Sequence, residues 1–248
     1  MRKKIVAGNW KMNGSYELLN TLVPALAEEA KQSKADILVC PPALFLGEAR
    51  RLAGDHLLVG AQNCHEAASG AYTGEIATGM LAEMQLSHVL VGHSERRAIY
   101  GETDALIAEK TKAAIASGLI AVLCVGETLE ERESGRTLDV VLGQVKAVID
   151  QLSLADWDRL VVAYEPVWAI GTGKTASSEQ AQEVHLAIRE ALAEYSHEHA
   201  DAMRILYGGS VKAANAAELF ACPDIDGGLV GGASLNADEF ISICRAAN

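Results

Sequence analysis

Short apolar runs recur along the chain at intervals of roughly 30 residues, with longer and more polar sequence between them. The runs are rich in Val, Ile and Leu and show no clear polar alternation, which is typical of parallel strands covered on both faces. They are KIVAGNW, DILVCPP, LLVGAQN, HVLVGHS, IAVLCVGE, LVVAYEP, RILYGGS and GLVGGAS. The pattern predicts that each run is a buried strand.

Helical patterns lie between these runs. The segment SSEQAQEVHLAIREALAEY begins with the capping-box pattern Ser177-x-x-Gln180, and NADEFISICRAA begins with Asn236 as N-cap and Glu239 in its first turn. The first of these segments has an apolar face, formed by Ala181, Val184, Ile188 and Leu192. Both segments are therefore predicted to be helices packed on a sheet.

Strand-then-helix units in this number predict an α/β fold, because eight of them in about 250 residues match a (β/α)₈ barrel of parallel strands, each followed by a helix. A doubly wound open sheet is the alternative, although it usually has fewer strands. No Pro/Gly/Ser-rich linker and no shift in composition divides the chain. We therefore expect one barrel domain over residues 1–248.

Net charge and hydropathy argue against several classes of function. The formal net charge is −12, which argues against a nucleic-acid-binding surface, and no apolar run approaches the roughly 20 residues that span a bilayer. The N-terminus MRKKIVAGNWKMNG has too short an apolar stretch for a signal peptide. We expect no nucleic acid and no membrane among the partners.

The cysteines and histidines form no recognisable metal motif. There are 5 cysteines, widely spaced and without a C-x-x-C pair, which indicates reduced thiols in a cytoplasmic protein rather than disulfides or a zinc cluster. HEHA at His197 lies at the polar end of a helical stretch, where a solvated surface is expected. HEAAS at His65 lacks the second histidine of a zinc-protease helix. No metal and no cofactor is expected.

Polar residues and glycines collect where the predicted strands end. In a barrel this end carries the active site, because the βα loops that follow the strands meet there. The residues at these positions are Asn9, Lys11, Asn63, His93, Glu95, Glu127, Glu165, Ser210, Gly231 and Gly232. Their concentration in a chain with otherwise apolar strands predicts a functional site at this end.

The loop after the sixth strand, AYEPVWAIGTGKTA, ends like a nucleotide-binding P-loop but is not one. The P-loop pattern requires an opening glycine where this chain has Trp168. A small glycine-containing tip between stiff ends suits a lid over residues 166–176 that closes on a ligand, and an ordinary βα connection is the alternative. Glu165 lies directly before this loop, where closure would desolvate its carboxylate and raise its basicity.

Two further glycine-rich turns, YGGSVK and LVGGASL, follow the seventh and eighth strands. Loops after the last two strands of a barrel frequently bind phosphate through backbone N–H groups. Neither Gly-Gly pair alone is specific, since glycine serves turns generally. Together with Gly171 and Gly173 of the preceding loop they predict a phosphate site.

These segments resemble the triosephosphate isomerase family. The matching motifs are AGNWKMNG, AYTGEI, GHSERR, CVGE, AYEPVWAIGTGKTA, YGGSV and LVGGASL. They occur in order from residue 7 to residue 235, so the resemblance covers essentially the whole chain. No motif position departs from the family pattern, although Gly228 is unusual and is expected to affect packing rather than chemistry. The resemblance implies interconversion of dihydroxyacetone phosphate and D-glyceraldehyde 3-phosphate through an enediolate, with a small phosphorylated triose as the substrate.

The resemblance also implies a role for individual residues. Glu165 would be the base that removes a proton beside the carbonyl, and neutral His93 would donate a hydrogen bond to the enediolate oxygens. Lys11 and Asn9 would supply a positive charge and a donor at the same oxygen end. The phosphate would be held largely by backbone N–H groups of Gly171, Ser210, Gly231 and Gly232. Glu95 and Cys124 match family positions but are expected to act only as supporting groups.

The loop after the third strand, NCHEAASGAYTGEI, is long for a βα connection. Sequence alone indicates only a functional loop. In the resembling family it inserts into a second subunit, so that Thr73 approaches the partner subunit near Asn9 and Lys11. A homodimer is therefore expected.

Other readings of the same residues remain open at this point. A Schiff-base aldolase would use Lys11 as its nucleophile, and a glycosidase would pair Glu127 with Glu165. A non-catalytic phosphometabolite-binding barrel would explain the glycine loops but not the placement of Glu165 and His93. Glu127 could equally be a surface or helix-capping carboxylate.

Overall fold

The computed structural model describes residues 2–170 and 175–248. The tip of the loop after the sixth strand, residues 171–174, lies outside the described residues. The predicted phosphate contact Gly171 and the centre of the predicted lid fall in this segment. Everything stated below concerns the described residues.

The strands form a closed parallel barrel in chain order, as the apolar runs predict. Neighbouring strands pair in parallel all the way round, and the first strand also pairs with the last. The strands are β1 (Ile5–Asn9), β2 (Asp36–Cys40), β3 (Leu58–Ala61), β4 (His88–Val91), β5 (Ile120–Val125), β6 (Leu160–Tyr164), β7 (Ile205–Tyr207) and β8 (Gly227–Val230). The predicted (β/α)₈ barrel is confirmed.

The core has two parts, because successive side chains of a strand point to opposite faces. Alternate residues point into the barrel and fill it, among them Ile5, Leu38, Val122 and Leu206. The remaining strand residues pack outward against the helices. Both faces of each strand are thus covered, which explains why the runs lack polar alternation.

Helices of the outer layer follow the strands. They are α1 (Tyr16–Ala30), α2 (Leu46–Ala53), α3 (Thr78–Glu83), α4 (Ser94–Tyr100), α5 (Asp104–Ala116), α6 (Leu129–Glu133), α7 (Thr137–Ile149), α8 (Ser178–Ala193), α9 (His197–Ala202), α10 (Ala213–Ala221) and α11 (Ala237–Arg245). Short 3-10 helices occupy Ala43–Phe45, Leu154–Arg159, Val167–Ala169 and Gly232–Leu235. None of the helices in the described ranges is long and apolar enough to cross a membrane.

Local sequence explains where two of these helices start. The Ser177 hydroxyl accepts the N–H of Gln180, whose side chain accepts the Ser177 N–H, so the predicted capping box begins α8. The Asn236 side chain accepts the N–H of Glu239 at the start of α11. The predicted apolar face of α8 is buried against the barrel. That residues 1–248 form a single domain stays a prediction.

Candidate active site

A cavity of about 320 Å³ opens at the carboxyl ends of the strands. The residues predicted from the strand ends contribute much of its wall. Those that line it include Asn9, Lys11, His93, Glu165, Ser210, Gly231 and Gly232. The described residues of the predicted site are therefore brought together in one cavity of the size that takes a small ligand.

His93 and Glu165 are in direct contact at the base of this cavity. The Nε2 atom of His93 lies 2.8 Å from Oε1 of Glu165, and the backbone N–H of Ser94 donates to Oε2 at 2.9 Å. Both side chains are buried, with 6% of His93 and 2% of Glu165 exposed. Each carboxylate oxygen of Glu165 therefore has a hydrogen-bond donor.

The hydrogen bonds of His93 assign its tautomer. His93 precedes α4, and its Nδ1 accepts the backbone N–H of Glu95 at 3.2 Å. A proton on Nδ1 would oppose this donor, so the ring is neutral with its proton on Nε2, where it donates to Glu165. Burial alone lowers the pKa of His93, but the neighbouring Glu165 carboxylate outweighs burial and raises the pKa. We assign the neutral ring because the donor at Nδ1 is fixed by the backbone.

Glu165 is held as a carboxylate by its neighbours. Burial by itself raises its pKa, but the charge and hydrogen bond of His93 and the N–H of Ser94 outweigh burial and lower the pKa. These stabilising contacts depend on the position of the side chain. A Glu165 side chain that left His93 and Ser94 while staying buried would become more basic.

Lys11 also lines the cavity and has an unusual backbone. Its φ is 50°, in the left-handed region, and its backbone N–H donates to Asn9 Oδ1 at 3.0 Å. The Gln62 amide donates to the Lys11 carbonyl at 2.8 Å. The Lys11 ammonium contacts Glu95 Oε1 at 2.5 Å. This turn is strained backbone held in place by side chains, a feature that clusters at functional sites.

The two Gly-Gly pairs differ in what surrounds them. A Cβ on Gly232 would meet nothing within 4 Å, and a Cβ on Gly231 would only approach the Lys11 side chain at 3.6 Å. A Cβ on Gly208 would lie 2.8 Å from Glu165 Cγ, and one on Gly209 would lie 2.2 Å from the Tyr207 hydroxyl oxygen. Gly231 and Gly232 therefore leave the cavity open, whereas Gly208 and Gly209 allow the end of β7 to pack closely against Glu165 and Tyr207.

The geometry agrees with comparisons to known proteins. A family model described as triosephosphate isomerase matches residues 4–247. The chain belongs to the triosephosphate isomerase family. Proteins of that name from Pseudomonas aeruginosa and Alcanivorax borkumensis are 58% and 56% identical over 249 and 246 residues, covering 100% and 99% of this chain and 99% of each relative. One from Dechloromonas aromatica is 55% identical over 249 residues, covering all of both chains.

Membership of the triosephosphate isomerase family confirms the resemblance drawn from the motifs and the isomerase class that it implies. The aldolase, glycosidase and binding-protein readings are set aside with it.

Glu127 is neither a surface residue nor a helix cap, so that part of the sequence interpretation is wrong. It is 0% exposed and does not line the cavity. Its Oε1 accepts hydrogen bonds from Trp168 Nε1 at 2.9 Å and the Tyr164 hydroxyl at 3.1 Å, and Arg132 lies 3.3 Å away. Glu127 therefore anchors the start of the loop that follows Glu165.

Two other strand-end residues also serve packing. Asn63 accepts a hydrogen bond from the buried Lys110 ammonium at 3.0 Å, and Cys124 is buried inside the barrel, where burial raises the pKa of its thiol well above the usual value. The contacts made by Gln62 and by the Ser94 N–H were not foreseen from sequence. The only sequence feature that marks Gln62 is an amide side chain directly after β3. The Ser94 contact is made by a backbone N–H, which every residue except proline has, so no residue type marks it. In the described ranges no three His, Cys, Asp or Glu side chains gather to hold a metal ion.

Proposed function

We propose that this isomerase interconverts dihydroxyacetone phosphate and D-glyceraldehyde 3-phosphate with Glu165 as the base that moves the proton between the two carbons. The observation that carries the proposal is the buried Glu165–His93 contact at 2.8 Å in the cavity at the strand ends. Glu165 takes a proton from the hydroxyl-bearing carbon beside the carbonyl and returns it to the former carbonyl carbon. His93 Nε2 gives its proton to the former carbonyl oxygen and takes the hydroxyl proton in return, so that the carbonyl moves to the neighbouring carbon. Between these steps the substrate is an enediolate, whose negative oxygens need hydrogen-bond donors.

Substrate entry would activate the base. A carbonyl or hydroxyl oxygen placed at His93 Nε2 takes over the hydrogen bond that now goes to Glu165. Glu165 then loses the partner that lowers its pKa while it stays desolvated, so its pKa rises toward the range useful for proton abstraction. The hydrogen bonds from His93 and Ser94 thus keep the base charged and in position.

Lys11, Asn9 and His93 are the donors assigned to the developing oxyanion. All three line the cavity, and the Asn9 side chain is oriented because its Oδ1 accepts the Lys11 N–H, which leaves its NH₂ group as the donor. The ion pair with Glu95 fixes the position of the Lys11 ammonium. Preorganised donors of this kind stabilise charge that develops in the transition state.

The phosphate is assigned to the open side of the cavity, near Ser210, Gly231 and Gly232. The glycines leave room for close approach of a phosphate to backbone N–H groups. The contact assigned to Gly171 and the closing lid over residues 166–176 depend partly on residues outside the described ranges. Both remain proposals based on the motif AYEPVWAIGTGKTA.

The first experiment is to measure conversion of dihydroxyacetone phosphate by the wild-type protein with EDTA present, and then to compare Glu165→Gln. Turnover should resist EDTA, and the variant should lose roughly 10²–10⁴-fold or more in kcat, the range for a lost general base. Glu130→Gln is the matched control, since Glu130 is an exposed carboxylate outside the cavity. Binding of phosphoglycolate by Glu165→Gln checks that the cavity is intact. A variant that keeps most of its activity would show that Glu165 is not the base.

We also propose that the protein is a homodimer formed through residues 63–76. This loop is closed on itself by a hydrogen bond from His65 N–H to the Ile76 carbonyl at 2.8 Å, and its tip, with Thr73, is exposed. A second cavity, of about 360 Å³, lies beside Lys11 and could receive the same tip from a second copy. Large apolar side chains are exposed near it, with Met12 96% and Leu44 87% exposed.

The dimer is tested by sedimentation of Thr73→Arg. A bulky charge at the inserted tip should shift the equilibrium toward monomer, whereas Ser242→Arg, also an exposed hydroxyl residue but on α11, should sediment like wild type. Equal sedimentation of both variants with wild type would contradict the assigned interface. We place the protein in the cytoplasm, on the support that its five cysteines are all free thiols, four of them buried.

A further inference from the structure

Lys212 contributes an unused positive charge to the wall of the catalytic cavity. It follows Ser210 and Val211 in the turn after β7, and all three residues line the cavity. Its side chain is exposed and makes no ion pair or hydrogen bond with any other residue in the described part of the chain. The other lysine of this cavity, Lys11, is already paired with Glu95.

The backbone under Lys212 is fixed on both sides. The Lys212 N–H donates to Asn215 Oδ1 at 2.8 Å, and the same amide donates from Nδ2 to the Ser210 carbonyl at 3.1 Å. The next N–H, of Ala213, donates to Glu239 Oε1 at 2.8 Å. These bonds occupy the first donors of α10, so the helix terminus itself has little left for an anion. The ammonium group is the part of this turn that is free to meet one.

The positive charge of Lys212 would favour binding of an anionic substrate. The whole chain carries a formal net charge of −12, which repels an anionic substrate at long range. The positive charge of Lys11 is offset by Glu95, with which it is paired, and Glu165 adds a negative charge to the cavity. The phosphate contacts assigned to glycines and Ser210 are uncharged. A lysine at the phosphate end therefore makes the local potential more favourable for an anionic substrate.

We propose that Lys212 is a further substrate-binding residue, whose ammonium pairs with the phosphate dianion at the rim of the cavity. The inference rests on the phosphate position proposed above. Because the side chain is exposed, its contribution is that of a solvent-accessible ion pair, sensitive to salt and felt mainly in binding. No proton is transferred to or from it in the reaction.

The test compares Lys212→Gln with Lys212→Arg and with Lys34→Gln. Lys34 is exposed and precedes β2 at the other end of the barrel, so its loss changes the net charge equally without touching the cavity. The probe is inorganic phosphate as a competitive inhibitor, measured with kcat and KM for D-glyceraldehyde 3-phosphate at ionic strengths of about 0.01 M and about 0.5 M.

At low ionic strength Lys212→Gln should raise the inhibition constant of phosphate and KM about two- to five-fold, with a smaller effect on kcat. The difference should shrink at high ionic strength, and both Lys212→Arg and Lys34→Gln should resemble wild type. The role of Lys212 would be refuted, with the phosphate position left standing, if Lys212→Gln and Lys34→Gln gave the same inhibition constant of phosphate and the same KM. It would also be refuted if Lys212→Arg raised these constants as much as Lys212→Gln does. If phosphate does not compete with substrate in the wild-type protein, the phosphate position is wrong and the proposal fails with it.

Discussion

Replacing Glu127 by Gln tests how the loop that follows Glu165 is anchored. In the structure one oxygen of Glu127 receives Trp168 Nε1, the Tyr164 hydroxyl and the Arg132 guanidinium. The guanidinium also lies over the Trp168 ring, 4.7 Å from its centroid. Glutamine has the same shape and keeps one acceptor oxygen, so the substitution removes the negative charge and little else.

The size of the effect follows from these contacts. Hydrogen bonds to a charged acceptor contribute about 1.5–3 kcal/mol and neutral ones about 0.5–1.5 kcal/mol, so loss of charge weakens each of the Trp168 and Tyr164 bonds by about 1 kcal/mol. The Arg132 pair, with the guanidinium 25% exposed, adds up to about 1 kcal/mol. The second carboxylate oxygen has no hydrogen-bond partner within the described ranges, so a new NH₂ group there gains nothing. The free energy of unfolding should fall by about 2–3 kcal/mol.

Urea unfolding at one fixed protein concentration measures this difference, because subunit association changes apparent stability. Glu130→Gln again serves as control, since it removes an exposed carboxylate close in sequence. KM should rise in Glu127→Gln but not in the control, because Trp168 begins the proposed lid. If both variants unfold with the same midpoint and slope as wild type, the three donors do not depend on the charge of Glu127 and the reasoning is refuted.

Two further predictions concern stability. Gly227→Ala should lower the free energy of unfolding by more than about 3 kcal/mol, because the φ of Gly227 is 123° and a Cβ would lie 1.9 Å from the Ile5 carbonyl oxygen. Gly228→Ala should change it by less than about 1 kcal/mol, because Gly228 has no positive φ and the nearest atom to its Cβ would be a ring atom of Phe220, at 3.3 Å. The urea midpoints of the two variants measure this difference. Burial alone would raise the pKa of Asp224, but hydrogen bonds, including that of Arg189, hold it below its usual value. This stabilisation is present above about pH 4 and is lost as the pH falls through the lowered pKa, so wild-type stability should drop more steeply below about pH 4 than that of Arg189→Met.

The barrel could be predicted because its signal is repeated and local. Each apolar run carries its own evidence of being a buried strand, and the order of strands and helices leaves few topologies. The same reasoning located the site, since parallel strands in a barrel bring all their carboxyl ends together. Residues as distant as Asn9 and Gly232 could thus be assigned to one cavity without any contact being known.

The contacts within the site could not be predicted, because they join segments far apart in sequence. Ser94 and Glu165 are separated by 71 positions, and Trp168 and Glu127 by 41. Whether Glu127 is buried depends on the packing of a loop around it, which its own neighbours in sequence do not encode. The left-handed φ of Lys11 could not be predicted either, because the position is not occupied by glycine or asparagine, the residues that usually adopt it.

Two glycines of the sequence motifs, Gly126 and Gly208, also have a packing role next to Glu165. The sequence interpretation assigned YGGSVK to the phosphate, yet a Cβ on Gly208 would collide with the Glu165 side chain at 2.8 Å. On the other flank, a Cβ on Gly126 of the motif CVGE would lie 1.7 Å from the Glu165 carbonyl oxygen. β6, which ends next to Glu165, is paired with β5 and β7, so the two glycines press in from both neighbouring strand ends. Because neither glycine has a side chain, the two neighbouring strand ends can pack closely against the backbone and the side chain of Glu165, which is only 2% exposed.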